Sequence, residues 1–251
     1  MGIVIKYGGN AMTDLATRRL MAQRIRALAA ESEPPVLVHG GGPFIQAALD
    51  AAGLEHRFVR GLRVTSPESL EVIERELTVL GKRLAHEIGP AVALTGRDAG
   101  LLVAEVASAE LGRVGHMHSV EPQVLLTLRS AGLVPVVACL AADPDGGLLN
   151  VNADEVAGAV AAALDEGALF LTNVPGVLDD PADPGSLLRS LSAAEAKERI
   201  SDGRISGGMI PKVEAALSAL EVGAPFAVIA DGRDPAGVDE ALAGGGTRLH
   251  M

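Results

Sequence analysis

The chain has 251 residues, 48% hydrophobic but only 2% aromatic, with 21 Lys+Arg against 32 Asp+Glu and a net charge of −11. That balance excludes a general nucleic-acid binder, which needs a basic face. The single cysteine, Cys139, excludes an intramolecular disulfide and a cysteine-based zinc cluster, and no segment approaches the roughly 20 apolar residues of a membrane-spanning helix.

With few aromatics, the core has to be built from Ala, Val, Leu and Ile, which suits helices packed on a parallel sheet. Cys139 lies inside an apolar run and reads as a small buried hydrophobe. The start of the chain lacks the basic, apolar and cleavage regions of a leader, so the expectation is a soluble, cytoplasmic protein.

Short apolar runs of strand type occur at 3–6, 36–39, 91–94, 134–140, 168–172 and 226–230. The first ends in Lys6-Tyr7-Gly8-Gly9. In open parallel sheets ligands sit beyond the carboxyl ends of strands, and glycines there let backbone amides approach a phosphate. A plain strand-to-helix turn with a surface lysine explains the same residues. The second run ends in His39-Gly40-Gly41-Gly42-Pro43, again ahead of a helix. His39 itself reads as a structural histidine.

Residues 67–84 carry Leu70, Ile73, Leu77, Leu80 and Leu84 at helical spacing, preceded by Thr65-Ser66-Pro67-Glu68, which reads as a capping box. The stripe suits either a contact between subunits or packing on the chain's own sheet. Residues 101–117 alternate less cleanly and suggest a hairpin beside the main sheet. Within them, His116 and His118 lack the further ligands that a metal site needs, so no metal site is expected.

Asn150-Val151-Asn152-Ala153-Asp154 opens an Ala-rich helix over 153–164. The two Asn side chains face one side if the segment is extended, and their amides suit a polar substrate. Asn152 or Asp154 equally fits a simple helix cap. Residues 179–186 are polar, Pro-rich and loop-like. A last helix begins near Pro211 and ends before Gly223. Lys212 in its first turn opposes the helix dipole; an anion bound at the preceding glycines would offset that misplacement, and an exposed lysine tolerated at little cost explains it as well. Alternation of strand and helix implies a mainly parallel sheet covered on both faces. There is no GxxxxGK[ST] loop, HExxH, GxSxG, HRD or DFG motif, so a phosphate enzyme would need another cradle.

In order and spacing, these motifs resemble the amino acid kinase family along nearly the whole chain. The carrying stretches are 5–9, 38–43, 61–65 (Gly61-Leu62-Arg63-Val64-Thr65), 150–154, 171–180 and 205–217. The stretch 61–65 is similar to the branch that phosphorylates N-acetylglutamate. The resemblance implies a three-layer α/β sandwich with an amino-acid-substrate lobe at 1–172 and an ATP-binding lobe at 173–251. It implies that Lys6 and Lys212 stabilise the transferring phosphoryl group while Asp154 holds both lysines. Gly41, Gly42, Arg63, Asn150 and Asn152 match substrate-binding positions. Gly8, Gly9, Asn173, Val174, Pro175, Gly176, Val177, Leu178, Arg204, Ile205 and Ser206 match nucleotide positions.

The implied reaction takes ATP with Mg²⁺ and phosphorylates the side-chain carboxylate of N-acetyl-L-glutamate, the second step of arginine biosynthesis. Neutral, Asn-rich surroundings favour the acetylated amino acid over free glutamate. Asn173 stands where Asp is usual, and Phe44 where Gln is common, which bears on details of nucleotide and substrate contact. The chain starts at its first strand, without the N-terminal helix of arginine-inhibited hexamers, and so is expected to be an arginine-insensitive homodimer. The rival readings are a kinase for carrier-protein-linked aminoadipate or glutamate and a non-catalytic regulator on the same fold. A nicotinamide oxidoreductase would need a GxGxxG turn, which is lacking.

Overall fold

A strand covered on both faces sends consecutive side chains into opposite layers, so it needs apolar residues throughout. The computed structural model describes every residue but Met1, Pro181 and Pro184; the polar loop expected at 179–186 falls partly outside the described residues. Its elements are β1 (Ile3–Tyr7), α1 (Leu15–Glu31), β2 (Val36–His39), α2 (Gly42–Ala51), β3 (Phe58–Val59), β4 (Leu62–Arg63), α3 (Pro67–Ile88), β5 (Ala91–Leu94), β6 (Leu102–Val106), β7 (Val114–Val120) and α4 (Gln123–Ser130). There follow β8 (Val134–Ala138), β9 (Leu140–Ala142), β10 (Leu148–Val151), α5 (Ala153–Leu164), β11 (Gly167–Thr172), β12 (Ser190–Ser192), α6 (Ala193–Ser201), α7 (Ile210–Glu221), β13 (Ala227–Asp231), α8 (Ala236–Leu242) and β14 (Thr247–His250).

Eight strands form one sheet in the order β12-β14-β13-β11-β1-β2-β8-β5, parallel except at the β13–β14 pair. Val4, Val38, Phe170 and Ile229 enter a layer with Val156 and Val160 of α5 and Val213 and Leu217 of α7. Ile5, Leu37, Leu169 and Val228 enter the opposite layer with Met21 and Ile25 of α1 and Val238 of α8. The architecture is therefore a three-layer α/β sandwich around a mainly parallel sheet.

The apolar run at 134–140 is not one strand. β8 joins the large sheet, while β9 belongs to a closed ring of four strands, β10-β7-β6-β9. The hairpin expected at 101–117 is the antiparallel β6–β7 pair of that ring, and it extends to Val120.

Helix α3 begins as expected at Pro67, and Ser66 accepts the Ser69 amide at 3.1 Å. The reciprocal half of the capping box is not made. Glu68 stands one residue too early and instead accepts the Ser66 hydroxyl at 2.8 Å. Leu70, Ile73, Leu77, Leu80 and Leu84 are all buried within the protomer. The stripe serves the chain's own core and is not available as a contact between subunits.

Candidate active site

The carboxyl ends of β1, β2 and β11 are where the expected residues meet. Lys6 is the penultimate residue of β1. Opposite it, Asn152 caps α5 by accepting the Asp154 amide at 3.0 Å, which sets Asp154 in the first turn, where the dipole favours a carboxylate. Lys6 Nζ lies 2.8 Å from Asp154 Oδ1, with the two side chains 18% and 28% exposed. The pair is thus half-shielded yet reachable.

The two glycine turns touch. A Cβ on Gly9 would lie 2.9 Å from the Gly42 nitrogen, so only glycine permits this approach. A Cβ on Gly42 would meet nothing within 4 Å, because that residue faces open space. Among the described residues, the amides of Gly9, Gly41 and Gly42 donate to no group of the chain, which leaves them available to an anion.

Two cavities adjoin along Lys6, Gly9, Gly42 and Asp154. One, of about 630 Å³, is also lined by Gly8, Asn10, Thr172, Asn173, Lys212 and Arg233. The other, of about 870 Å³, is lined by Gly41, Arg63, Asn150 and Asn152, among others. A third, of about 180 Å³, is bordered by Val174, Pro175, Gly176, Val177, Leu178, Arg204, Ile205 and Ser206. The residues singled out in the sequence are therefore distributed over three spaces, and Lys6 and Asp154 belong to two of them.

Several details differ from expectation. Lys212 does enter the first cavity from the start of α7, but its Nζ donates to the Gly208 carbonyl at 2.8 Å. Among the described residues, Asp154 is paired with Lys6 alone. The wall around Asn150 and Asn152 is less neutral than expected, since Glu155, Glu214 and Glu221 also line it. Two of these are engaged: Glu155 accepts the Met117 amide at 2.7 Å, and Glu221 accepts from Lys197 at 2.7 Å.

Arg63 stacks over the Phe58 ring at 4.6 Å, and its Nη1 donates to Gln46 Oε1 at 3.3 Å. Burial draws its pKa below the ordinary arginine value, an effect opposed by Asp50. Asn150 donates to Thr65 Oγ1 at 3.2 Å. Behind the glycines, His39 is wholly buried and its pKa is lowered to about 4 by desolvation, so the ring is neutral. Its Nδ1 is 3.0 Å from the Gly40 carbonyl, and since a carbonyl only accepts, Nδ1 carries the proton. Burial pushes Cys139 up to about 12, leaving an inert thiol.

Sequence reasoning passed over Asn10, Gln46 and Arg233. The rule that ligands gather at strand ends would have found Arg233, which follows β13 in Asp231-Gly232-Arg233. His116 and His118 pair separately, with Glu155 at 3.2 Å and Glu105 at 3.1 Å. Among the described residues, no three His, Cys, Asp or Glu side chains gather as a metal site, and no helix is long and apolar enough to cross a membrane.

The amino acid kinase family model matches residues 1–231. The chain is 51% identical to the acetylglutamate kinase of Deinococcus radiodurans, over 98% of this chain and 99% of the relative. It is 51% identical to the acetylglutamate kinase of Thermus thermophilus, over 92% of this chain and 90% of the relative. The crystal structure of smu.665 from Streptococcus mutans UA159 superposes with a TM-score of 0.81 at 28% identity, covering 99% of this chain and 98% of that one.

Proposed function

The chain belongs to the amino acid kinase family, and we propose that it is an acetylglutamate kinase, transferring the γ-phosphoryl group of ATP to the side-chain carboxylate of N-acetyl-L-glutamate in the second step of arginine biosynthesis. The observation that carries this reading is the Lys6–Asp154 pair at the junction of two cavities, one edged by Arg63 and Asn150 and the other by Lys212 and the strand-end glycines.

The acceptor is a carboxylate already ionised at neutral pH, so no general base is required. A carboxylate oxygen attacks the γ-phosphorus while the bond to the β,γ-bridging oxygen breaks, and ADP leaves. Catalysis then consists of positioning and of neutralising charge spread over the phosphoryl oxygens. Lys6, Lys212 and the amides of Gly9 and Gly42 would supply that neutralisation. Arg63 would hold the substrate's other carboxylate as a bidentate fork, with Asn150 and Asn152 beside it.

In the same reading, residues 1–172 form the substrate lobe and 173–251 the nucleotide lobe, whose small third cavity suits an adenine ring. Mg²⁺ would arrive with the nucleotide. Asp154 is the one carboxylate lining the 630 Å³ cavity and is already taken by Lys6, so the ion would be carried mainly by phosphate oxygens. A cytoplasmic homodimer belongs to the proposal too, its contact using a surface other than the buried stripe of α3.

The test is ADP release with N-acetyl-L-glutamate, L-glutamate and L-aspartate, with hydroxylamine trapping the acyl phosphate. Turnover is expected with the first alone. Equal turnover of free glutamate would remove the specificity claim, and no turnover with any acceptor would remove the kinase assignment.

A further inference from the structure

The 630 Å³ cavity is lined by three cations, Lys6, Lys212 and Arg233, against one carboxylate, Asp154. In a chain of net charge −11 such a surplus has to be assembled deliberately. The two lysines are absorbed by the function proposed above, whereas Arg233 is not.

Its position is fixed by the backbone. Asp231 closes β13 and is in register with Thr172 of β11. The next amide, that of Gly232, donates to the Thr172 carbonyl at 2.7 Å, and a Cβ on Gly232 would lie 2.7 Å from Leu171 Cβ. The turn can therefore cross the end of β11 only with glycine there, and that crossing brings Arg233 alongside Thr172 and Asn173. The guanidinium is held through Nε at 3.0 Å and Nη2 at 2.5 Å to the Asp231 carboxylate, with the Arg233 side chain 64% exposed. An ion pair this exposed is weak, and its arginine is easily exchanged onto a stronger acceptor. A planar fork of donors beside a cavity of this charge matches phosphate oxygens.

We propose that Arg233 is a nucleotide-binding residue that leaves Asp231 to grip the β-phosphate of ATP. This rests on the kinase reading above. Calorimetry with ADP, AMP-PNP and AMP separates the two claims, because it reads binding without turnover. Arg233→Ala should weaken ADP and AMP-PNP about 10- to 100-fold, the range for one charge-assisted contact, and leave AMP unchanged. Asp231→Asn, which releases the arginine, should bind ADP at least as well as wild type.

Unchanged ADP binding in Arg233→Ala would overturn the inference. So would an equal loss for AMP, or equal losses in both variants, since these report only a loosened turn. If the wild-type protein bound none of the three nucleotides, the kinase reading itself would fall and take this assignment with it.

Discussion

Lys6 Nζ and Asp154 Oδ1 stand 2.8 Å apart, although one belongs to the opening strand and the other to the first turn of α5. The pair fixes an otherwise flexible ammonium at the point where the two cavities meet. Lys6→Ala should lower kcat by ~10²–10³ with a much smaller change in KM, the cost of one lost charge-stabilising contact. Lys6→Arg should rescue poorly, because a wide planar guanidinium does not replace a compact ammonium. Steady-state kinetics on folded variants decide this, and a normal kcat in Lys6→Ala would refute the role.

Asp154→Asn should also slow the reaction. Its effect should be strongly non-additive with Lys6→Ala, since each removes half of one contact. It should be close to additive with Lys212→Ala, whose ammonium rests on the Gly208 carbonyl instead. A double-mutant cycle measures both couplings. Equal coupling of Asp154 to the two lysines would mean that Lys212 reaches Asp154 once substrates are bound.

Gly42→Ala separates packing from chemistry. The added methyl meets nothing within 4 Å, so the melting temperature should stay within about 1–2 °C of wild type, as for a neutral substitution. Gly42 lines both cavities that Lys6 and Asp154 also line, so kcat/KM should fall about tenfold or more. Unchanged kinetics would show that the glycine turn does not approach the reacting groups.

His39 ties stability to pH. In the unfolded chain the imidazole has its ordinary value of 6.5, whereas burial lowers it to about 4 in the native state. Between these values the unfolded state binds a proton that the native state does not, so stability is unaffected above pH 6.5 and falls as the pH drops toward 4. The limit is roughly 3 kcal/mol. Urea unfolding at several pH values, compared with His39→Asn, tests this. Asn keeps a donor near the Nδ1 position and does not titrate, so an unaltered pH slope in the variant would exclude His39 as the cause.

The central strands were legible because burial on both faces demands unbroken apolar runs, as in Val36–His39 and Val134–Ala138. The strands at the β12 end of the sheet, β12 and β14, were not. Thr247–His250 alternates buried and exposed residues, and Ser190–Ser192 is mostly polar. The change of sheet after Ala138 was invisible because no Gly or Pro marks it. Helix α1 was missed because Arg18, Arg19, Arg24 and Arg26 interrupt a thin stripe of Met21, Ala22, Ile25 and Leu28. The strand-end glycines and Lys6 were readable from the strand-end rule. That Lys212 turns its amine onto Gly208 is a choice of rotamer, which no spacing encodes.

Strand β1 lies between β2 and β11, and these neighbours come from distant parts of the chain. During synthesis the first strand can find β2 almost at once but must wait for residues 167–172 before its other edge is covered. Pairing of such long sequence separation is slow to form, because a large loop has to close before any contact rewards it. A growing chain that has not yet released β11 therefore exposes the flank of its most central strand. That interval, rather than any weakness of the finished sheet, is when the protein is most open to pairing with another copy of itself.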